Sequence, residues 1–154
     1  MRGMRNGVGR LPVGIGESRE GPLWVDLAEL PHLLVGGHTG SGKSVFLRQL
    51  LTGLLLLLGP GRLRLALVDL KGGTELNLFE RLPHLMAPVA RDQESCLELF
   101  QLVTVELHRR QALLDRAGLE DIERWNAVHP GEPLPYILVV VDEVAELSAV
   151  ESKR

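Results

Sequence analysis

Short aliphatic runs alternate along this chain with longer segments of helical spacing, and their order predicts most of the elements. His32-Leu33-Leu34-Val35 is a compact apolar run stopped by Gly36-Gly37, which predicts a buried strand. Residues 44–58 are leucine-rich and long enough for a helix, broken by Gly59-Pro60-Gly61. Residues 63–70 lack strict alternation, so they predict a strand buried on both faces. Between Gly72 and Pro88 the pattern weakens, to a short helical turn over 76–80 and a strand over 86–89. Asp92 then caps a long helix running to Ala117, with Gly118 as its stop. Cys96, Leu99, Phe100, Val103, Leu107 and Leu114 keep helical spacing on it and predict one buried face. Glu106 and Arg110 form an i,i+4 pair on the same helix. A shorter helix over 120–128, a turn over 130–135 and an aliphatic strand over 136–141 complete the pattern. Strands alternating with helices predict an α/β fold with a mainly parallel sheet. Residues 1–22, rich in glycine with little periodicity, read as a flexible or short-strand lead-in to a domain over 23–154.

Composition narrows the class. The chain has 154 residues, 45% hydrophobic and 24% charged, which fits one globular domain and excludes a disordered tail. Aromatics make only 4%, so the core must be aliphatic. A net charge of −3 excludes a basic arm that coats a polyanion. The single cysteine, Cys96, excludes an internal disulfide and a multi-cysteine metal cluster, and points to a reducing, cytoplasmic setting. No apolar run reaches the roughly 20 residues of a membrane span. The basic start, residues 1–10, is followed by no apolar stretch and is not a signal peptide.

Chemistry enters at Gly37-His38-Thr39-Gly40-Ser41-Gly42-Lys43-Ser44, which fits G-x-x-x-x-G-K-[ST], the Walker A phosphate loop, with Val45 following in the helix. Its glycines let successive N–H groups turn toward phosphate oxygens, aided by the helix N-terminus. Lys43 supplies a point charge to the β- and γ-phosphates, and Ser44 offers a hard oxygen to Mg²⁺. The loop lies between a predicted strand and a predicted helix, the context that the motif requires. Such a loop needs a metal-orienting carboxylate. Asp142, at the end of an aliphatic strand, reads as the Walker B aspartate, and Glu143 is placed to polarise the attacking water. The pair of motifs predicts Mg·ATP hydrolysis. Asp69 and Lys71 close the other strong strand, at a carboxyl edge where open α/β sheets bind ligands, and are candidates for a place near the nucleotide.

Other residues carry blander expectations. His32, His38, His84, His108 and His129 show no metal-ligand spacing, and His38 contributes to the loop through its backbone. Cys96 and Trp125 are packing residues. Arg109 and Arg110 read as a solvated helix face in preference to a nucleic-acid patch.

With these residues in place, the chain resembles the motor domain of the FtsK/SpoIIIE family of DNA translocases. The resemblance rests on Leu30-Pro31-His32-Leu33-Leu34-Val35 before the loop, and on Leu11-Pro12-Val13-Gly14-Ile15-Gly16 with Val25-Asp26-Leu27 after it. It extends through Val68-Asp69-Leu70-Lys71-Gly72-Gly73-Thr74-Glu75-Leu76, where Leu70 stands in place of the proline of many members. Leu82-Pro83-His84-Leu85, Arg109-Arg110, Ala117-Gly118, Trp125-Asn126 and the strand into Asp142-Glu143 carry it to about residue 147. The resemblance implies a RecA-like P-loop ATPase core with a strand between the Walker A and Walker B strands. It also implies ATP and Mg²⁺ as cofactors, a ring, usually a hexamer, and double-stranded DNA as the partner moved. Roles in chromosome partition at cell division, or in plasmid or conjugative transfer, follow from it.

Family motors continue well past Walker B, whereas this sequence ends at Arg154. The expectation is therefore a partial motor lacking the C-terminal part, in which nucleotide binding survives better than hydrolysis. Two other readings stand beside the DNA translocase. One is a type VII secretion-like ATPase that moves protein, and the other is a non-catalytic nucleotide-binding fragment that joins a full-length ring.

Overall fold

The computed structural model describes residues 9–30, 32–72 and 75–145. They fall into two compact units, residues 1–58 and 59–154.

The first unit opens with an antiparallel hairpin of β1 (Pro12–Ser18) and β2 (Gly21–Asp26), which crosses the boundary expected at residue 22. Gly21, at φ 117°, supplies the left-handed backbone that the tight connection needs. Asp26 closes the open end. Its buried carboxylate accepts hydrogen bonds from the backbone N–H groups of Arg10 (2.9 Å), Leu11 (2.8 Å) and Ala28 (3.0 Å). Burial alone would raise its pKa, but these donors together hold the carboxyl below its ordinary value. A single 3₁₀ turn follows, and then α1 (Lys43–Leu57), which lies against β1 and has Leu50, Leu51 and Leu54 buried.

The strand expected over 32–35 does not form. Residues 32–38 carry no regular structure, and Leu34 is 84% exposed. An apolar run becomes a strand only where a neighbour completes its ladder of hydrogen bonds, and among the described residues none pairs with this one.

The second unit is built on two parallel strands, β3 (Leu63–Asp69) and β4 (Tyr136–Asp142), in register from Leu63 opposite Tyr136 to Asp69 opposite Asp142. β3 is buried almost throughout, as its unbroken apolar character predicts. The strand expected over 86–89 is reduced to isolated parallel bridges, from Leu65 to Leu85 and from Val68 to Ala90. Pro88 lies between these bridges and has no N–H to continue the ladder.

The long helix α2 (Gln93–Ala117) begins and ends where its capping residues predict. Asp92 and Ser95 form a reciprocal capping box, and Gly118 adopts a left-handed φ of 64°. Cys96 and Leu99 join Ala66, Val68 and Ala90 in the core, with Phe100, Val103 and Val141 packed around them. Cys96 is thus a packing residue. Beyond Val103 the expectation fails, because Leu107 is 52% exposed while Arg110 is buried. Arg110 is therefore not part of a solvated face. It donates to the Glu106 carboxylate and to the Pro135 carbonyl.

α3 (Ile122–Val128) is capped by Asp121 and fastens the connection into β4. Trp125 is buried, stacks on His129 at a ring-centroid distance of 3.9 Å, and donates through Nε1 to the Glu132 carbonyl. Asn126 both donates to and accepts from the Leu134 backbone. The Trp125-Asn126 pair therefore shapes the connection to β4.

Candidate active site

In the first unit the phosphate loop is an exposed turn leading directly into α1. Gly40 (φ 80°) and Gly42 (φ 95°) take backbone conformations that an L side chain rarely adopts. Ser41 N–H donates to the His38 carbonyl at 3.1 Å and holds the turn, and His38 Nδ1 lies 2.7 Å from the Thr39 carbonyl. That contact requires Nδ1 to carry the proton. A Cβ at Gly37 would lie 3.1 Å from Ser41 Cβ and against its Oγ, so a side chain there would require the Ser41 side chain to turn away. Gly42 is the N-cap of α1, and no side chain caps its first turn. The N–H groups at the start of a helix have no partner within it, so Lys43, Ser44 and Val45 begin the helix with donors directed away from it. No acidic residue occupies that first turn. The arrangement is suited to an anion with several oxygens, as the motif predicts.

In the second unit the register of β3 and β4 sets Asp69 beside Asp142 at the carboxyl edge. Asp69 is fully buried and Asp142 is partly buried. Burial, and then the negative charges of Asp69, Glu143 and Glu75, push the Asp142 pKa up, while Lys71 acts in the opposite direction. Glu143 follows with φ 67°, a left-handed conformation for a residue with a side chain. Its carboxylate lies 3.6 Å from the Lys71 ammonium. The placement of Asp69 and Lys71 beside Asp142 and Glu143 was legible in the sequence as an edge position, but the ion pair itself was not. No local spacing links residue 71 to residue 143.

This edge fits a magnesium ion by its donor chemistry. A carboxylate whose proton affinity is raised by neighbouring carboxylates is relieved when a cation replaces the proton. Among the described residues no group of three or more His, Cys, Asp or Glu side chains could hold a metal alone. Magnesium at phosphate-transfer sites commonly takes one or two protein ligands, with phosphates and water supplying the rest. Asp142 would be the ligand at this edge. Ser44, the other residue expected from the sequence to hold magnesium, belongs to the unit of residues 1–58, and the acidic edge to that of residues 59–154.

A model of the FtsK/SpoIIIE family matches residues 2–154. The DNA translocase FtsK of Staphylococcus epidermidis is 38% identical over 155 residues, which cover 94% of this chain and 19% of that protein. The solved monomer form of the pCW3 conjugation coupling protein TcpA, with ATPγS, is 36% identical, with a TM-score of 0.76 over 90% of this chain and 37% of that one. The cytoplasmic domain of the type VII secretion ATPase EccC of Thermomonospora curvata is 32% identical, with a TM-score of 0.78 over 94% of this chain and 18% of that one. The chain thus spans about a fifth of the length of the FtsK relatives that it matches. The α/β class with a parallel strand pair agrees with these P-loop ATPase structures. Matched by its family model over nearly its whole length, the chain belongs to the FtsK/SpoIIIE family.

Proposed function

We propose that this chain is an ATP-binding and ATP-hydrolysing domain of a motor that moves double-stranded DNA. The observation that carries the reading is the phosphate loop, in which a left-handed Gly42 opens α1 and no side chain caps the helix. In this reading residues 37–45 hold the triphosphate, with Lys43 against the β- and γ-phosphates. Ser44 and Asp142 are the residues that would hold magnesium, which would supply neutralisation of the charge developing on the phosphoryl group. Glu143 takes a proton from water as the oxygen attacks the γ-phosphorus. The bond from that phosphorus to the β–γ bridging oxygen breaks, and ADP leaves with the bridging oxygen. Asp69 and Lys71, at the edge beside Asp142 and Glu143, are the further candidates for a place near the nucleotide.

Double-stranded DNA as the partner is supported by the DNA translocase relative and the conjugation coupling protein. A homo-oligomeric ring of hexamer type, a cytoplasmic setting, and work in chromosome partition, cell division or conjugative transfer belong to the same proposal, the last supported by the conjugation coupling protein. Among the described residues no helix is long and apolar enough to cross a membrane. With a net charge of −3, DNA contact falls to local surfaces and not to overall charge.

The likeness to the type VII secretion ATPase supports a second reading, a protein-moving ATPase. Steady-state hydrolysis of Mg·ATP, with and without long duplex DNA, separates the two. Stimulation by duplex, with a loss of about 100-fold or more in Lys43→Ala, is expected. Hydrolysis indifferent to DNA favours the protein-moving reading. Nucleotide binding without hydrolysis favours a subunit that acts only within a larger ring.

A further inference from the structure

Arg64 is the one cation in β3, on a strand that is otherwise apolar up to Asp69. The alternation of a strand puts its side chain on the same face as those of Ala66 and Val68, which Cys96 and Leu99 of α2 cover. Ile137 stands opposite Arg64 in the parallel register. Further along α2, Leu102, Glu106 and Arg110 recur at four-residue spacing. With Arg64, Ile137 and Met86 they line an open cleft of about 290 Å³, at the lower end of the volumes that hold small ligands.

The cleft has a charge balance of its own. Arg64 and Arg110 bring two positive charges and Glu106 one negative, a surplus of one. Glu106 stays ionised, because hydrogen bonds from Arg109 and Arg110 lower its pKa to about 2, so a second negative charge beside it would be repelled. Arg110 commits Nε to Glu106 and Nη1 to the Pro135 carbonyl. Arg64 has no carboxylate partner among the described residues. Its Nη2 donates to the Leu85 carbonyl at 2.7 Å, and its buried Nε has no acceptor among them. A guanidinium drawn partly out of water and left without a counter-charge attracts an anion more strongly than a hydrated one does. The walls from Met86, Leu102 and Ile137 offer nothing to a hydrated inorganic anion, but they would cover a hydrocarbon body.

We propose that this cleft is a binding site for a small organic monocarboxylate, with the carboxylate on Arg64 and the apolar body against Met86, Leu102 and Ile137. The site stands apart from the acidic edge of the same unit. Arg64 precedes Asp69 by five residues on β3, about 16 Å along an extended strand, at the end opposite the carboxyl edge. It therefore does not depend on the nucleotide reading.

Benzoate, benzamide and inorganic phosphate, titrated into the full chain while its methyl and arginine Nε–H resonances are followed by NMR, test it. Benzoate is expected to shift Met86, Leu102, Ile137 and the Arg64 Nε–H together and to saturate, with a Kd of about 1 mM. Benzamide, of the same shape without the charge, should bind at least about ten-fold more weakly, and phosphate should leave the methyl groups unmoved. Arg64→Met should weaken benzoate about ten-fold or more. Where that variant fails to fold, Leu102→Trp decides. Leu102 is 41% exposed, so the larger ring should fill the cleft and abolish saturable binding while the unfolding midpoint is kept. Benzamide or phosphate binding as tightly as benzoate, shifts scattered over the surface without saturation, or benzoate affinity unchanged in folded Arg64→Met or Leu102→Trp overturns the inference.

Discussion

Glu106 and Arg110 are joined across one helical turn by a 2.7 Å hydrogen bond, and Arg110 extends from there to the carbonyl of Pro135, just before β4. Arg109 clasps the same carboxylate from the solvent side with two hydrogen bonds of 2.6 and 2.8 Å. An i,i+4 pair of this kind on a free helix contributes only tenths of a kcal/mol. Here one member is buried and ties α2 to the entry of β4.

Replacing Glu106 by Gln therefore leaves the buried Arg110 guanidinium without its counter-charge. The expected loss is about 1–3 kcal/mol in urea unfolding of the whole chain, less than for a fully buried pair because Glu106 is partly exposed. An unchanged midpoint at unchanged slope would show that Arg110 finds compensation elsewhere.

The same carboxylate sets an acid limb of stability. Hydrogen bonding from Arg109, then from Arg110, lowers the Glu106 pKa from 4.5 to about 2. A group depressed in the folded state stabilises fully above its unfolded pKa and loses that contribution as pH falls through the folded one. Between about pH 5 and about pH 2.5 the wild type should lose roughly 1–2 kcal/mol more than Glu106→Gln does, allowing for screening. Parallel stability curves for the two proteins would count against the assignment.

Gly37→Ala should damage the phosphate loop while sparing the fold. The added methyl group would lie 3.1 Å from Ser41 Cβ and against its Oγ, so Ser41 must rotate its side chain and shift by a few tenths of an ångström within the turn it holds to His38. Affinity for MgATPγS is expected to fall at least about ten-fold, with unfolding stability changed by less than about 0.5 kcal/mol because the loop is exposed. Calorimetric titration beside a denaturation curve reads both quantities.

Asn126 makes a reciprocal pair of hydrogen bonds with the Leu134 backbone, at 3.0 and 2.6 Å. Asn126→Ala removes both and should cost about 1–3 kcal/mol, with faster amide exchange over 132–136. Full retention of protection there would mean that Trp125 alone fixes the connection.

What the sequence determined by itself was local. Asp92 and Gly118 mark the ends of α2 because capping depends on residues within one turn of each end. The glycines and Lys43 of the phosphate loop were readable because their chemistry is carried by neighbours in the chain. β3 was readable because complete burial writes a continuous aliphatic run, and Asp142-Glu143 because it follows such a run. The tertiary structure decided what depends on a distant partner. The apolar run 32–35 looks like a strand, but without a ladder to join it stays irregular. Residues 86–89 are similarly apolar, and Pro88 between the bridges limits them to isolated pairing with β3. Arg110 reads as a surface cation until its carbonyl partner at Pro135 is known. Lys71 meets Glu143 only because two parallel strands end in register. Caps and loops satisfy their polar groups within a few residues, whereas strands and buried charges are completed by groups that only folding brings within reach.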